Sequence, residues 1–240
     1  MMDLEFVRRA ERVTSFNLNA NDFTTLKYKK EIQHLFHKHF FPNFDISKTV
    51  RGINMNSVNR LIDTLRSENR EMLGKLHSYP LKGVGPGEAT LFFLVDDAHL
   101  GGGSSAGLDI VTSTKGYEVK AVSVGRDGYA TNFKLGGTFQ IADLVKRAQD
   151  LKAAAGLGSG SEVNGGNIEE IKKKFPLEWA KLEEDFAERA YQNYFKNHEI
   201  IFIYNTGPKL GNIAAVKQVK KSDIVFERVT SGTIKPKVKL

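Results

Sequence analysis

The sequence predicts a mixed α/β protein in which a helical N-terminal portion precedes a core of strands and helices. Residues 3–75 have apolar side chains at helical spacing, residues 108–124 form two strand-like runs around a short turn, and residues 199–204 form a β-branched run typical of a buried strand. The chain of 240 residues is long enough for one sizeable core. We therefore expect residues 1–80 to pack on a core formed by residues 81–240, as one compact unit.

Two helices are predicted in the N-terminal portion. Residues 25–40 have apolar side chains close to helical spacing, and Pro42 ends this pattern. A second helix is predicted from about Ser57, a suitable N-cap, with Leu61 and Leu65 on its apolar face.

The middle of the chain contains strand and turn signals. The glycine-rich turn at residues 83–88 opens an apolar helix or strand over residues 89–95. Residues 108–112 and 117–124 have the composition of strands, and residues 113–116 between them read as a hairpin turn.

The remainder predicts helices followed by strands. Residues 138–151 return to helical spacing, and residues 156–166 are a glycine-rich loop. We place the next two helix starts at Asn167 and Pro176. These helices belong to an insertion of about residues 154–198, which precedes the buried strand and the basic strands at the end of the chain.

Composition and charge limit the classes of function. The chain has no cysteine, which excludes disulfides, thiolate metal sites and a cysteine nucleophile. The N-terminus has no apolar signal core, and no apolar run approaches the ~20 residues of a membrane span, so we expect a cytoplasmic protein with no membrane partner. The net charge is +7, and residues 200–240 carry eight basic and two acidic side chains. Basic ends suit phosphate binding, and a basic tail that only aids solubility explains them equally well.

Charged residues in two neighbouring strand-like runs are the candidates for chemistry. Strand alternation places Glu118 and Lys120 on one face, and the short turn brings Asp109 beside Glu118. Charged side chains in apolar strands are costly to bury unless they are paired or bind a metal ion. Oxygen ligands in a small cluster suit Mg²⁺, and Lys120 beside such an ion could stabilise developing negative charge. A structural ion pair between Glu118 and Lys120 explains the same tripeptide.

Asp109, Glu118 and Lys120 on a predicted hairpin, with Glu88 at an upstream helix start, resemble the PD-(D/E)XK superfamily of restriction-endonuclease-like nucleases. The resemblance implies a mixed-sheet core flanked by helices, in which a helix, three strands, a second helix and a further strand follow one another. It covers roughly residues 83–205 in element order and four positions in chemistry.

The resemblance also implies a role for each of these residues. Asp109 and Glu118 would be metal ligands, Lys120 would be the catalytic lysine, and Glu88 would be the additional acidic residue of the first core helix. The expected cofactor is Mg²⁺, with Mn²⁺ as a substitute. Leu108 stands where the motif has proline, a position that varies within the superfamily. The implied reaction is hydrolysis of phosphodiester bonds in double-stranded DNA, by an endonuclease similar to type II restriction enzymes.

Residues after the proposed catalytic strand are candidates for DNA contacts. Arg126 and Lys134 suit phosphate or guanine and Asn132 suits adenine, and an ordinary polar connection explains this segment equally well. The C-terminal lysines would bind phosphates without reading sequence, or their alternation at positions 235, 237 and 239 would protect an edge strand. Cleavage of both DNA strands would suit a homodimer, because symmetric DNA matches a symmetric pair.

Two alternatives use the same residues. The chain could be an inactive nucleic-acid-binding or phage-type structural protein on the same fold, or a structure-specific nuclease of the junction-resolvase type. A binding protein would hold DNA with a steep salt dependence and without turnover in Mg²⁺. A resolvase would share the site and differ in its substrate.

Overall fold

The computed structural model describes residues 3–23, 26–78, 83–101, 108–131, 133, 141–194, 199–206, 213–230 and 232–240. Within these residues the helices are α1 (Leu4–Thr14), α2 (Lys29–Phe40), α3 (Met55–Ser78), α4 (Pro86–Leu94), α5 (Ala142–Ala154), α6 (Gly165–Lys174) and α7 (Pro176–Tyr194). The strands are β1 (His99–Leu100), β2 (Ile110–Val111), β3 (Gly116–Val124), β4 (Tyr129–Ala130), β5 (Glu199–Thr206), β6 (Ile213–Val219), β7 (Ile224–Val229) and β8 (Ile234–Lys239). The protein is therefore mixed α/β, which confirms the predicted class.

The chain divides into two compact units, and each consists of two segments. The first unit is Met1–Ser123 with Asn197–Gln218, and the second is Val124–Lys196 with Val219–Leu240. The helices α1 to α4 lie in the first unit together with the β2–β3 hairpin, and α5 to α7 lie in the second. No helix in the described ranges is both long enough and apolar enough to cross a bilayer.

The sheet of the first unit is built on the predicted hairpin. β2 and β3 pair antiparallel, with Ile110 opposite Tyr117 and Val111 opposite Gly116. β1 pairs antiparallel with the other side of β2, where His99 lies opposite Val111. β5 pairs with both β3 and β6. The hairpin therefore has strands on both sides.

Helix α4 lies in the core of the first unit. Gly85 is its N-cap and Pro86 its first residue, a position that suits proline because the first N–H groups of a helix have no intrahelical acceptor. Ala89 and residues 91–94 are buried, so the apolar run that was predicted as a helix or strand is a core helix. The Phe93 ring stacks on Phe36 of α2 with a centroid distance of 4.1 Å.

Three polar side chains of α2 form hydrogen bonds with the backbone carbonyl groups at the end of α4. Lys29, Gln33 and His37 lie four residues apart, are buried, and form what we call the polar stripe. Their nitrogen atoms contact carbonyl oxygens at the end of α4 and just beyond it, on Phe92, Phe93, Val95 and Ala98. The last carbonyls of a helix have no intrahelical donors. The polar stripe therefore caps α4 by tertiary contacts.

Two helix starts differ from the predicted positions. The Ser57 N–H donates to the Asn54 side chain at 3.1 Å, so Asn54, not Ser57, caps α3. The Asn167 N–H donates to the Asn164 side chain at 3.3 Å, so Asn164, not Asn167, caps α6. In both cases the true cap is an asparagine three residues upstream, and asparagine competes well with serine as an N-cap. Pro176 begins α7 as predicted.

Helix α3 is kinked, and a side chain near its start forms hydrogen bonds with strand β6 of the first unit. Asn69 has non-helical angles (φ −155°, ψ 86°), and its side chain accepts a hydrogen bond from Met72 N–H at 3.2 Å, as an N-cap does. Nearer the start of α3, the Asn59 amide exchanges two hydrogen bonds with Val216 of β6. The Asn59 Nδ2 to Val216 O distance is 3.0 Å, and the Val216 N to Asn59 Oδ1 distance is 2.7 Å.

The second unit contains strands β4, β7 and β8 of the sheet and has its own core. β8 lies between β4 and β7 and pairs antiparallel with both. Helices α5, α6 and α7 contact one another, and α7 packs on β7. Trp179 and Phe186 of α7 contact the Phe226 ring edge-on, with centroid distances of 5.5 and 5.1 Å. All three side chains are almost fully buried.

Candidate active site

Asp109 is held in place by the backbone of β3. It lies directly before β2, and its N–H donates to Tyr117 O at 3.0 Å. Its carboxylate Oδ2 accepts a hydrogen bond from the Val119 N–H at 2.8 Å. Asp109 is therefore bonded to β3 through both its backbone and its side chain.

Glu118 and Lys120 alternate with Val119 along β3 and share one side of the strand. The Lys120 ammonium donates to Glu118 Oε1. The distance from Lys120 Nζ to Asp109 Oδ2 is 3.9 Å. The Glu118 side chain is 12% exposed and those of Lys120 and Asp109 are 28% and 26% exposed, so all three are partly withdrawn from water but open on one side.

Glu88 approaches the hairpin from the first turn of α4. Its Oε1 accepts a hydrogen bond from the Gly85 N–H at 2.7 Å, which fixes the side chain against the helix start. Burial, followed by the negative charge of Asp109, raises the pKa of Glu88 to about 7. The Gly85 hydrogen bond and the Lys120 charge oppose this shift, and the Glu118 charge adds to it. Glu88 therefore interacts electrostatically with all three hairpin residues.

The electrostatics of Asp109 have the same character. Burial raises the pKa of Asp109, the hydrogen bond from Val119 opposes the shift, and the Glu118 charge adds to it. When all four side chains are ionised, three carboxylates and one ammonium give a formal charge of −3 + 1 = −2. The cluster therefore has an excess of negative charge in a partly buried position.

The donor set of this cluster suits a divalent cation. Mg²⁺ prefers oxygen ligands and usually takes one or two carboxylates while keeping several waters. Asp109 and Glu118 provide two carboxylates on adjoining positions of one hairpin. Among the side chains that the structure describes, no group of three or more histidine, aspartate or glutamate residues is arranged as a metal site. A cation at this place would therefore rely on these two carboxylates and on water or substrate oxygens.

The structure places Lys120 beside Glu118 and Asp109, and Glu88 close enough for its charge to act on theirs. Of the three predicted DNA contacts, it describes only Arg126. Arg126 is exposed in the turn between β3 and β4, within the second unit. Asn132 and Lys134 lie outside the described residues. The cluster thus belongs to the first unit alone.

Two residues that position the cluster were not predicted. A Cβ atom at Gly87 would lie 2.8 Å from Val119 Cγ1 and 3.0 Å from Ile203 Cδ1, so the first turn of α4 contacts β3 and β5 closely only because residue 87 is glycine. Val119 contributes the N–H that fixes Asp109. The sequence signal for Gly87 was its place directly before Glu88. Val119 gave no signal, because every non-proline residue has an N–H group.

Further interactions hold the hairpin outside the cluster. Lys115, in the hairpin turn, donates to Glu199 at the start of β5, and its side chain is 56% exposed. Asp97 accepts hydrogen bonds from Gly52 N–H at 2.8 Å and from Ser113 N–H at 3.0 Å. These contacts fix the turn of the hairpin, and none of them involves a residue of the cluster.

Comparison with known proteins gave no match for this chain, whether with family models, curated proteins or solved structures.

Proposed function

We propose that the protein is a divalent-cation-dependent endonuclease that hydrolyses phosphodiester bonds of double-stranded DNA, with a restriction-endonuclease-like core. The observation that supports this proposal is the position of Lys120 beside Glu118 and Asp109 in one partly buried cluster, with Glu88 close enough for its charge to act on theirs. Along the chain, α4, β1 to β3, α5 and β5 occur in the order expected of a PD-(D/E)XK core, with β4, α6 and α7 between them; of these elements, α4, β1 to β3 and β5 lie in the first unit and α5 in the second.

Asp109 and Glu118 would hold the cation. We expect this cation to be Mg²⁺, with Mn²⁺ as a substitute. Bound there, the cation would supply Lewis-acid neutralisation of the negative charge that builds on the phosphate. The Val119 N–H holds Asp109 in a fixed orientation, because it donates to Oδ2 at 2.8 Å. Glu88, which the Gly85 N–H keeps at the start of α4, would be an additional acidic residue beside these two ligands.

Lys120 would act on the substrate directly. Its ammonium group donates to Glu118 in the structure, and with substrate bound it would donate to a phosphate oxygen or orient the attacking water. A donor aimed at the place where charge develops contributes about a hundredfold to a thousandfold in rate. Lys120 is thus the residue whose removal tests the reaction most directly.

A second function fits the ion pair between Lys120 and Glu118. If that pair is structural, the cluster stabilises the hairpin and the protein binds nucleic acid without cleaving it. Structural ion-pair networks perturb the pKa values of their members just as catalytic sites do. A junction resolvase remains a variant of the first function, with the same cluster and a branched substrate.

Plasmid cleavage tests the proposal. We expect wild-type protein to nick or linearise supercoiled plasmid in Mg²⁺ or Mn²⁺ but not in EDTA, and Lys120→Ala and Asp109→Asn to lose about a hundredfold or more of this activity. Lys115→Ala is the matched control, because Lys115 lies on the same hairpin, forms an ion pair and is outside the cluster. Gel electrophoresis over a time course measures the products.

The controls separate the two functions. Thermal melting by circular dichroism should show each variant folded. Equal cleavage by Lys120→Ala and wild type would contradict the proposed mechanism. DNA binding without cleavage of plasmid or branched duplex in either cation would support the binding function instead.

A further inference from the structure

The sheet of the second unit has one basic side. Lys235, Lys237 and Lys239 alternate along β8, so they lie on the same side of the sheet. The register places Arg228 of β7 opposite Lys235, and Tyr129 of β4 opposite Lys239, which adds both residues to that side. We call these five residues the basic face.

The opposite side of the same sheet is the core of the second unit. Ile234, Pro236 and Val238 alternate with the lysines and are buried. On β7, Phe226 lies opposite Pro236, and its ring contacts Trp179 of α7. The helix α7 therefore covers the apolar side, and the lysines point away from it.

Protection of a strand edge does not by itself explain the alternating lysines. At its end β8 is an inner strand, because Val238 pairs with Ala130 of β4 and with Ile224 of β7. Lysines that protect an edge are placed on the outermost strand of a sheet. The edge-strand explanation therefore does not account for Lys239, whereas at all three positions the alternation places charge on one face.

Two lysines of the basic face form no ion pair with the described acidic residues. Among the described residues, no carboxylate forms an ion pair with Lys235 or Lys237. Arg228 Nη1 is 3.9 Å from Glu162 Oε1, a long contact between two side chains that are about half exposed. Residues 224–240 carry four basic and one acidic side chain (4 − 1 = +3), whereas residues 166–194 carry five basic and seven acidic ones (5 − 7 = −2).

We propose that the basic face binds the phosphate backbone of DNA without reading its sequence. This rests on the proposed function only in the choice of DNA among polyanions. Alternate residues of a strand are about 7 Å apart, so the three lysines span about 13 Å. Over that length along a duplex, one DNA strand carries about four phosphates. An anionic membrane fits less well, because the register adds a single apolar side chain, Val225, to this side.

The aromatic ring on the basic face is already engaged. Lys237 Nζ lies 4.5 Å from the centre of the Tyr129 ring, which holds the lysine side chain over β4 by a cation–π contact. One face of the ring is therefore occupied by this lysine. A ring face that is already occupied does not stack on a base, which favours contacts with phosphates.

The test measures DNA affinity in EDTA, so that cleavage plays no part. The face variant is Lys235→Gln/Lys237→Gln/Lys239→Gln. The control is Lys146→Gln/Lys173→Gln/Lys181→Gln on α5, α6 and α7, whose lysines form ion pairs with helix carboxylates. Both changes lower the net charge from +7 to +4 (7 − 3 = 4). The probes are two fluorescein-labelled duplexes of unrelated sequence, followed by anisotropy between about 50 and 200 mM KCl.

We expect the face variant to bind both duplexes about tenfold or more weakly and to lower the slope of log K against log salt by about 3, or about 1 for each lysine. The control should keep the wild-type slope, and a triple lysine-to-arginine variant of the face should keep it too, because the charge is retained. Equal losses in the face and control variants, or no loss in either, would overturn the proposal.

Two further outcomes identify the partner. Binding to vesicles containing phosphatidylserine that depends on the same lysines and is not displaced by duplex DNA would overturn the proposal in favour of a membrane. If wild-type protein cleaves plasmid and the face variant binds DNA as tightly as wild type, only the proposed DNA-binding role of the basic face is refuted. If DNA binding depends on the basic face but no cleavage occurs, only the proposed nuclease activity is refuted.

Discussion

At the scale of single residues, Gly87 sets how closely Glu88 approaches the hairpin. Glycine is needed here for space and not for its backbone angles, since the atoms that a Cβ would meet are Val119 Cγ1 and Ile203 Cδ1. Val119 lies between Glu118 and Lys120, so a shift of either partner moves the cluster. Gly87 therefore determines the position of the Glu88 carboxylate.

Gly87→Ala should destabilise the protein by about 1–3 kcal/mol, because the added methyl overpacks a buried contact. Urea unfolding measures this loss, and plasmid cleavage should fall as Glu88 moves. Gly165→Ala is the control, since a Cβ at Gly165 would have no atom within 4 Å. Gly87→Ala/Val119→Ala should recover part of the cleavage, because the second change removes Cγ1. Wild-type stability and cleavage in Gly87→Ala would show that the close contact is unimportant.

Three members of the cluster could be predicted from local signals in the sequence. Strand alternation gave the common side of Glu118 and Lys120, and a short hairpin turn gave the approach of Asp109. Glu88 was expected only from the resemblance to PD-(D/E)XK nucleases. Gly87 could not be predicted, because its constraint comes from Ile203, more than a hundred positions away along the chain.

At the scale of elements, the polar stripe joins α2 to the end of α4. His37 is part of it, and burial lowers the pKa of His37 to about 4, with the nearby His34 charge adding to the shift and the Phe93 carbonyl and Asp96 opposing it. Burial likewise lowers the pKa of His77 to about 4. Both imidazoles are therefore neutral in the folded protein near pH 7.

The polar stripe predicts an acid-sensitive stability. Unfolded His37 binds a proton below about pH 6.5, whereas the folded protein resists protonation until about pH 4. The contribution of His37 to the free energy of unfolding is therefore complete above pH 6.5. It is lost as the pH falls towards 4, at about 1.4 kcal/mol per pH unit and roughly 3 kcal/mol in total. Urea unfolding of wild type and His37→Gln at several pH values measures it.

The comparison with His37→Gln isolates one group. Glutamine can still donate to the Phe93 carbonyl but does not titrate. Groups with raised pKa, such as Glu88, change stability in the opposite direction with pH and cancel in the difference. The difference in unfolding free energy should therefore shrink or change sign as the pH falls from 6.5 to 4. A difference that is constant over this range would refute a neutral, buried His37.

Element types were predictable where periodicity was clear, and caps were less so. The hairpin, α7 and β5 have distinct local patterns, and the structure confirms them. The run at residues 89–95 is apolar on every side, so it has no period that separates helix from strand. Its identity as α4 and the capping of its end depend on side chains some sixty positions upstream, such as Lys29.

At the scale of the whole molecule, two cores are formed by interleaved segments. The chain enters the second unit at Val124, leaves it after Lys196 and returns at Val219. The predicted insertion of about residues 154–198 ends close to Lys196, whereas no sequence signal marked a boundary at Val124 or Val219. The strands that complete each unit come from the last forty residues, and their pairing is a long-range property of the fold.

The core of the second unit can be followed by its own tryptophan. Trp179 is the single tryptophan of the chain, and it packs on Phe226. Phe226→Ala should lower the stability reported by tryptophan fluorescence by about 3–5 kcal/mol, because a large cavity forms beside the indole. Leu177→Ala on the same helix is the control, since Leu177 is 81% exposed. A fluorescence midpoint equal to wild type in Phe226→Ala would contradict this packing.

The pairing of Asn59 with Val216 has a consequence for self-association. The N–H and C=O of one strand residue point to the same side, so Asn59 occupies the side of Val216 that faces away from β5. The amide thus takes the place that a strand from another molecule would occupy in a continuous intermolecular sheet. One side chain of α3 therefore blocks the pairing of β6 at Val216 with a strand of another molecule.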